Sequence, residues 1–215
     1  MGSSQSDKAA SHKRILKAAA RRIRRDGVEG VNVAELMREA GLTHGGFYRH
    51  FESREALVAE AVEEALANGS KRTYAAAELG GTRALEAIVD GYLSGLHRDK
   101  PETGCAVAAL PTDVVRCNER ARAAYTTQVR RYLEVLADLA PDQDRNGPHA
   151  ILATLVGALT LARAVDDAEL SDEILERSAR ALHEVVDQAS RRAGRKAVAV
   201  ADTVGATTVP AHDVS

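Results

Sequence analysis

The stretch that decides the reading is Glu39-Ala-Gly-Leu-Thr-His-Gly-Gly-Phe-Tyr-Arg-His-Phe51. A glycine, Gly41, divides it, and only glycine takes a positive φ without penalty, so a tight turn is expected there. Upstream, residues 33–40 form a short helix capped by Asn32, with Glu35 three residues on completing a capping box. Downstream, Thr43 opens a third helix that runs to Arg49. Further upstream, residues 11–26 place Leu16, Ala19, Ala20 and Ile23 on one helical stripe, with Ser11 as cap and Gly27 as stop. Three short helices with a glycine turn before the last describe a helix-turn-helix. In such a unit Leu36, Ala40, Leu42 and Phe47 lock the helices together and the third helix is free to enter a major groove.

Charge agrees with that reading. Residues 1–54 hold eleven Lys and Arg against six Asp and Glu, whereas 55–215 hold eighteen against twenty-five, so a basic front end precedes an acidic body. This points to an anionic partner for the front end, and a single solvated basic helix is the plainer alternative.

The segment Gly41-Leu-Thr-x-Gly-x-Phe-Tyr-x-His-Phe51, followed by Ser53-Arg-Glu-x-Leu57, closely resembles the DNA-binding domain of the TetR family of transcriptional regulators over residues 11–60. Its residues divide by chemistry. Asn32, Thr43, His44, Gly45, Tyr48, Arg49, His50 and Arg54 are the candidate DNA contacts. Thr43 offers a hydroxyl and free N–H groups at a helix start, where a phosphate is favoured. His44 is placed to reach base edges, and Gly45 and Gly46 let the backbone lie close to DNA. Tyr48 and His50 resemble the family's phosphate-contacting aromatic and histidine. Arg54 stands at the family's usual lysine position, a cation at a helix start that the helix dipole disfavours and a phosphate would explain. Phe47 and Phe51 are assigned to the core. Met37 departs from the small residue favoured at its position.

The rest of the chain is helical: a fourth helix capped by Ser53, a break at Gly80-Gly81, then helices over 82–98, 105–116, 118–139, 149–165 and 171–193, about nine in all. The fold class is therefore all-α, a three-helix DNA-binding domain before a larger helical body. Residues 1–10 are expected to be a flexible N-terminus, 11–54 the helix-turn-helix domain, 55–194 the regulatory and dimerisation domain, and 195–215 a disordered tail. Pro141 to Pro148 reads as a polar turn. The resemblance implies a homodimer formed through helices 149–165 and 171–193, a palindromic double-stranded DNA operator, and release of a repressor by an unidentified small-molecule ligand. Candidate pocket residues are Tyr92, Cys105, Tyr125, Val129, Tyr132 and Thr154, polar points on apolar faces or their neighbours.

Other classes find less footing. Two cysteines, Cys105 and Cys117, make no disulfide framework and no CxxC, so a reducing cytoplasm is the expected home. Seven scattered histidines show no metal spacing, no glycine-rich phosphate loop follows a strand, and no apolar run suits a membrane or a signal peptide. No cofactor, metal or catalytic residue is expected. Two rivals stay open: a redox- or electrophile-responsive regulator switching through Cys105, and a small helical enzyme with an incidental basic helix.

Overall fold

The first helix, α1 (Gln5–Asp26), buries Ile15, Ala19, Ala20 and Ile23 along one stripe, and Gly27 ends it at φ 74°. It begins six residues before the expected cap. Ser11 is inside the helix and buried, where it accepts a hydrogen bond from Arg14. The stretch Gln5–Ala10 has no proline or glycine to stop a helix, so residues expected to be flexible extend it instead. The computed structural model describes residues 5–139 and 147–205, with side chains as far as 188 and at 191; the turn expected over 141–148 therefore lies outside the described residues as far as 146.

After α2 (Val33–Glu39) the chain turns through Gly41, again at φ 74°. The Leu42 N–H donates to the Met37 carbonyl at 2.8 Å and the Gly41 N–H to Arg38 at 3.0 Å, the paired bonds of a Schellman ending. The third helix is a single 3₁₀ stretch, His44–Arg49, rather than an α-helix. Adjacent Gly45 and Gly46 weaken the α form by about 1 kcal/mol each, which suits a short, tight turn held by tertiary packing.

The body follows as α3 (Arg54–Gly69), α4 (Lys71–Ala77), α5 (Gly81–Tyr92), α6 (Gly95–Asp99), a 3₁₀ turn at Pro101–Thr103, α7 (Ala106–Ala109), α8 (Pro111–Val114), α9 (Glu119–Leu139), α10 (Gly147–Ala164) and α11 (Ala168–Gly205). The Ser53 hydroxyl caps α3 by accepting from the Ala56 N–H at 3.1 Å. One helix expected over 82–98 is two: the chain breaks at Leu93, and Ser94 caps α6 by accepting from the His97 N–H. The stretch over 105–116, expected to be interrupted or started afresh at Pro111, is two short helices, the second beginning there. With α4 added, the described residues form eleven α-helices and two 3₁₀ turns.

The helix α3 packs on α1 at one side and on α9 at the other, so it joins the front domain to the body. The opposite side is built by α10 against α9 and α11. Within α10, Ile151, Leu152, Leu155 and Leu159 are buried while Leu161 is 58% exposed. The last helix runs eleven residues past the stop expected at Gly194, so residues 195–205 are helical rather than a disordered tail, and 206–215 lie outside the described residues. Alanine and lysine in 195–201 are strong enough helix formers to carry one interior glycine. No helix among the described residues is long and apolar enough to cross a membrane.

Candidate nucleic-acid interface and the cavity behind it

The recognition turn has a buried and an exposed side. Phe47 and Phe51 are buried, stacked 5.6 Å apart, and Tyr48 between them is 76% exposed. A truncation of either Phe would cost ~3–5 kcal/mol as a core deletion. Met37, also buried, reaches under the turn: a methyl placed on Gly46 would sit 3.6 Å from its Cε, so the flexible thioether fills the space beneath the glycine pair. Gly45 faces open space, and Thr43, His44 and Arg49 are exposed beside it. The Thr43 side chain makes no capping bond.

Asn32 accepts from the Glu35 N–H at 3.2 Å, the expected N-cap. The reciprocal half of a capping box is missing, because the Glu35 carboxylate pairs instead with Arg22 at 2.6 Å. Arg22 also reaches Glu39 at 3.2 Å, one turn on, so α1 grips α2 through two carboxylates. The Arg54 guanidinium donates through one nitrogen to the Val28 carbonyl at 3.0 Å and lies 3.8 Å from Glu29, so an internal acceptor helps to hold this cation at the start of α3.

His50 is half-buried. Its Nδ1 has neither solvent nor a partner among the described residues. Burial holds its pKa below the usual imidazole value, and the nearby His12, Lys8 and Arg49 push the same way. The ring is therefore neutral near pH 7. A stranded N–H is rarer than a stranded acceptor, so the proton belongs on Nε2. His12 stacks on Phe51 at 4.6 Å and bonds Glu60 at 2.8 Å, tying α1, the recognition turn and α3 together.

Of the six candidate pocket residues the fold brings three together. Tyr92, Cys105 and Tyr132 line two adjoining cavities, of about 50 and about 10 Å³, which share Thr73, Ile88 and Tyr92. Tyr125, Val129 and Thr154 line neither. The Tyr125 hydroxyl donates to the Val107 carbonyl at 2.8 Å, and Val129 and Thr154 are half-buried on α9 and α10. The Cys105 sulfur lies 3.4 Å from the Tyr132 hydroxyl. The Tyr92 hydroxyl is buried with no hydrogen-bond partner among the described residues, and desolvation raises its pKa well above that of a free phenol.

The sequence reading missed His97. Its Nδ1 lies 2.7 Å from the Tyr92 carbonyl, and its Nε2 lies 2.9 Å from the Cys105 N–H. A carbonyl only accepts and an N–H only donates, so the proton is on Nδ1 and the ring is neutral. Burial holds its pKa down to about 4. The Tyr92 carbonyl is the acceptor freed by the break after α5, and a lone histidine in a helical pattern gives no sign of this. Gly104 and Gly69 belong to the same arrangement. A Cβ on Gly104 would stand 2.7 Å from the His97 ring, and one on Gly69 2.6 Å from the Gly104 carbonyl.

The cavity wall connects to the front domain. Arg24 of α1, only 7% exposed, donates to the Glu102 carbonyl and to that of Ala65. Arg163 of α10 donates to the carbonyls of His97 and Arg98. The segment 97–105 is thus held from below by one arginine and from behind by another.

Residues 15–61 match the family described as bacterial regulatory proteins, tetR family. A Bacillus subtilis (strain 168) protein described as an uncharacterized HTH-type transcriptional regulator, YdgC, is 41% identical over 54 residues, 25% of this chain and 28% of that one. The chain thus aligns with little more than a quarter of that relative's length. Among solved structures, a TetR transcriptional regulator from Chloroflexus aurantiacus J-10-fl superimposes with a TM-score of 0.72 at 22% identity, over 86% of this chain and 98% of that one. E. coli NemR in its reduced form gives 0.68 at 19%, over 81% and 97%. AibR in complex with isovaleryl coenzyme A and operator DNA gives 0.61 at 16%, over 80% and 98%. These identities carry the fold alone, and the fold agrees with what the first sixty residues carry in sequence: residues 15–61 are similar to the N-terminal DNA-binding segment of the tetR family of bacterial regulatory proteins.

Proposed function

We propose that the protein is a sequence-specific DNA-binding transcriptional regulator, a homodimeric repressor released from a palindromic operator by a small molecule. The observation that carries DNA reading is the division of the recognition turn: Phe47 and Phe51 are buried, while Tyr48, His44, Arg49 and the bare backbone of Gly45 face outward together. Exposing a tyrosine to 76% in an otherwise well-packed unit makes sense when a phosphate takes its hydroxyl. Exposed Lys8, Lys13, Lys17 and Arg21 on α1 add positive charge to the same domain.

Dimerisation is supported by a strip of small and apolar residues left exposed or half-exposed at four-residue intervals, Ala153, Gly157 and Leu161 on α10, with Ala181 and Val185 on α11. Two such helices and their copies form a four-helix bundle. Effector release is supported by the cavity at Tyr92, whose wall runs through His97 and Cys105 to the carbonyl that Arg24 holds. A ligand that displaces 97–105 shifts α1 and with it the spacing of the two recognition turns.

A second reading has its own observation. Cys105 lines that cavity beside the Tyr132 hydroxyl, so modification of its thiol would act on the same wall.

Selection of bound fragments from random DNA by the purified chain tests the proposal. Recovery of one palindromic sequence is expected. Recovery without sequence preference would refute it.

A further inference from the structure

The cavity at Tyr92 has an uneven lining. Its mouth carries Arg72, exposed and without an ion pair among the described residues. Its far end is Leu136, Leu152 and Leu155. No aspartate or glutamate lines either part. The Tyr92 hydroxyl, on a residue 95% buried (5% exposed), has no oxygen or nitrogen partner among the described residues, its one polar neighbour being the weakly bonding Cys105 thiol. Leaving a buried hydroxyl unpaired is costly, and an acceptor brought into the cavity recovers that cost.

The charges acting on His97 have one sign. Arg72 and Arg163 both disfavour a proton on His97, and that ring is locked as a neutral bridge between two backbone groups. Neither tyrosine supplies a negative charge, since burial raises the pKa of both Tyr92 and Tyr132. An anion entering the mouth meets an unpaired guanidinium and a hydroxyl that can only gain by donating.

Size narrows the class. A buried water needs roughly 10–15 Å³ of such volume. A cavity of about 50 Å³ therefore takes a carboxylate and a carbon or two, and its narrow continuation is lined by leucines. We infer that the effector is a short-chain organic acid, its carboxylate held between Arg72 and the Tyr92 hydroxyl and its alkyl end directed at Leu136, Leu152 and Leu155. This rests on the reading that the Tyr92 cavity is the effector site.

The test is calorimetric titration of the full-length protein with butyrate, and with butyramide and 1-butanol as uncharged counterparts. Butyrate is expected to bind at least about tenfold more tightly than either. Arg72→Gln, on an exposed side chain, and Tyr92→Phe are each expected to remove most of that preference. Ala76→Leu, which fills the cavity wall, is expected to abolish binding, with thermal unfolding used to confirm that the variant folds. Butyrate binding that survives Ala76→Leu lies elsewhere and overturns the effector-site reading. Binding blocked by Ala76→Leu but equal for butyrate and butyramide overturns the anion inference alone. No binding by any of the three overturns the inference as well.

Discussion

Arg24 on the first helix donates through two of its nitrogens to the main-chain oxygen of Glu102, in the turn just before the cavity wall. A third nitrogen holds the Ala65 carbonyl of α3 at 3.1 Å. A nearly buried charge with three backbone bonds, and no ion pair to a carboxylate among the described residues, bridges the DNA-binding domain and the body in a single side chain. Burial lowers its pKa from the usual arginine value.

Arg24→Met keeps the apolar stem and removes the bonds. It is expected to lower unfolding free energy by about 2–3 kcal/mol, as for hydrogen bonds to a charged group left unmade at buried carbonyls. Urea denaturation measures it. In a variant that still folds, operator release by the effector should be weakened more than operator binding itself. A loss of stability below 0.5 kcal/mol would mean the bridge contributes nothing.

His97 sets a pH dependence. Its folded pKa of about 4 lies below the ordinary 6.5. Above pH 6.5 the ring is neutral in both states and adds nothing. As the pH falls from 6.5 toward 4, the unfolded chain takes up the proton first and stability is lost, by about 3 kcal/mol in total. His50 shifts the same way and adds to the slope. The comparison is therefore between the native protein and His97→Gln, whose stability should fall less steeply over that window. Parallel curves would assign the slope elsewhere.

Two glycines separate folding from function. Gly104→Ala brings a Cβ against the His97 ring at 2.7 Å, so a loss of about 2 kcal/mol is expected in thermal or urea unfolding, with overpacking as the cause. Gly45→Ala meets open space, so stability should hold or rise by up to about 1 kcal/mol. Its DNA affinity should nonetheless fall, because the added methyl lies where the backbone would approach the groove. Gel-shift titration beside an unfolding curve reads both effects.

Tyr48→Phe removes one exposed hydroxyl and touches no core contact. Stability should change by less than 0.5 kcal/mol, as at most exposed sites, while operator affinity falls about five- to tenfold, the worth of one hydrogen bond of about 1 kcal/mol or slightly more. Cys105→Ser separates the two readings of the switch: a ligand-driven release persists in it, and a thiol-driven one is lost.

The DNA-binding domain was legible in sequence because its signals are local. Gly41, Asn32, Ser53 and the buried pair Phe47 and Phe51 each act within a few residues, and each takes the role its neighbours dictate. The intramolecular contacts of Arg54 and Glu35 were not legible because their partners, Val28 and Arg22, lie thirteen or more residues away and no periodicity points to them. The cavity was half legible. Tyr92, Cys105 and Tyr132 are polar points on apolar faces, but His97 enters only because α5 breaks at Leu93 and frees a carbonyl. Tyr125 showed the same sequence character and turned instead to the Val107 carbonyl. Helix ends were the weakest, since Ser11 and Gly194 resemble a cap and a stop yet neither is strong enough to end a helix whose flanks favour continuing.

The most direct measurement is equilibrium binding of the purified protein to the palindrome recovered by selection, followed against salt with stoichiometry determined in parallel. The account predicts two chains per palindrome, loss of tight binding on a shuffled sequence, and a log–log salt slope of about −4 or steeper, near −0.9 for each phosphate neutralised. Equal binding to the shuffled sequence, or one chain bound with no dependence on the second half-site, would contradict it.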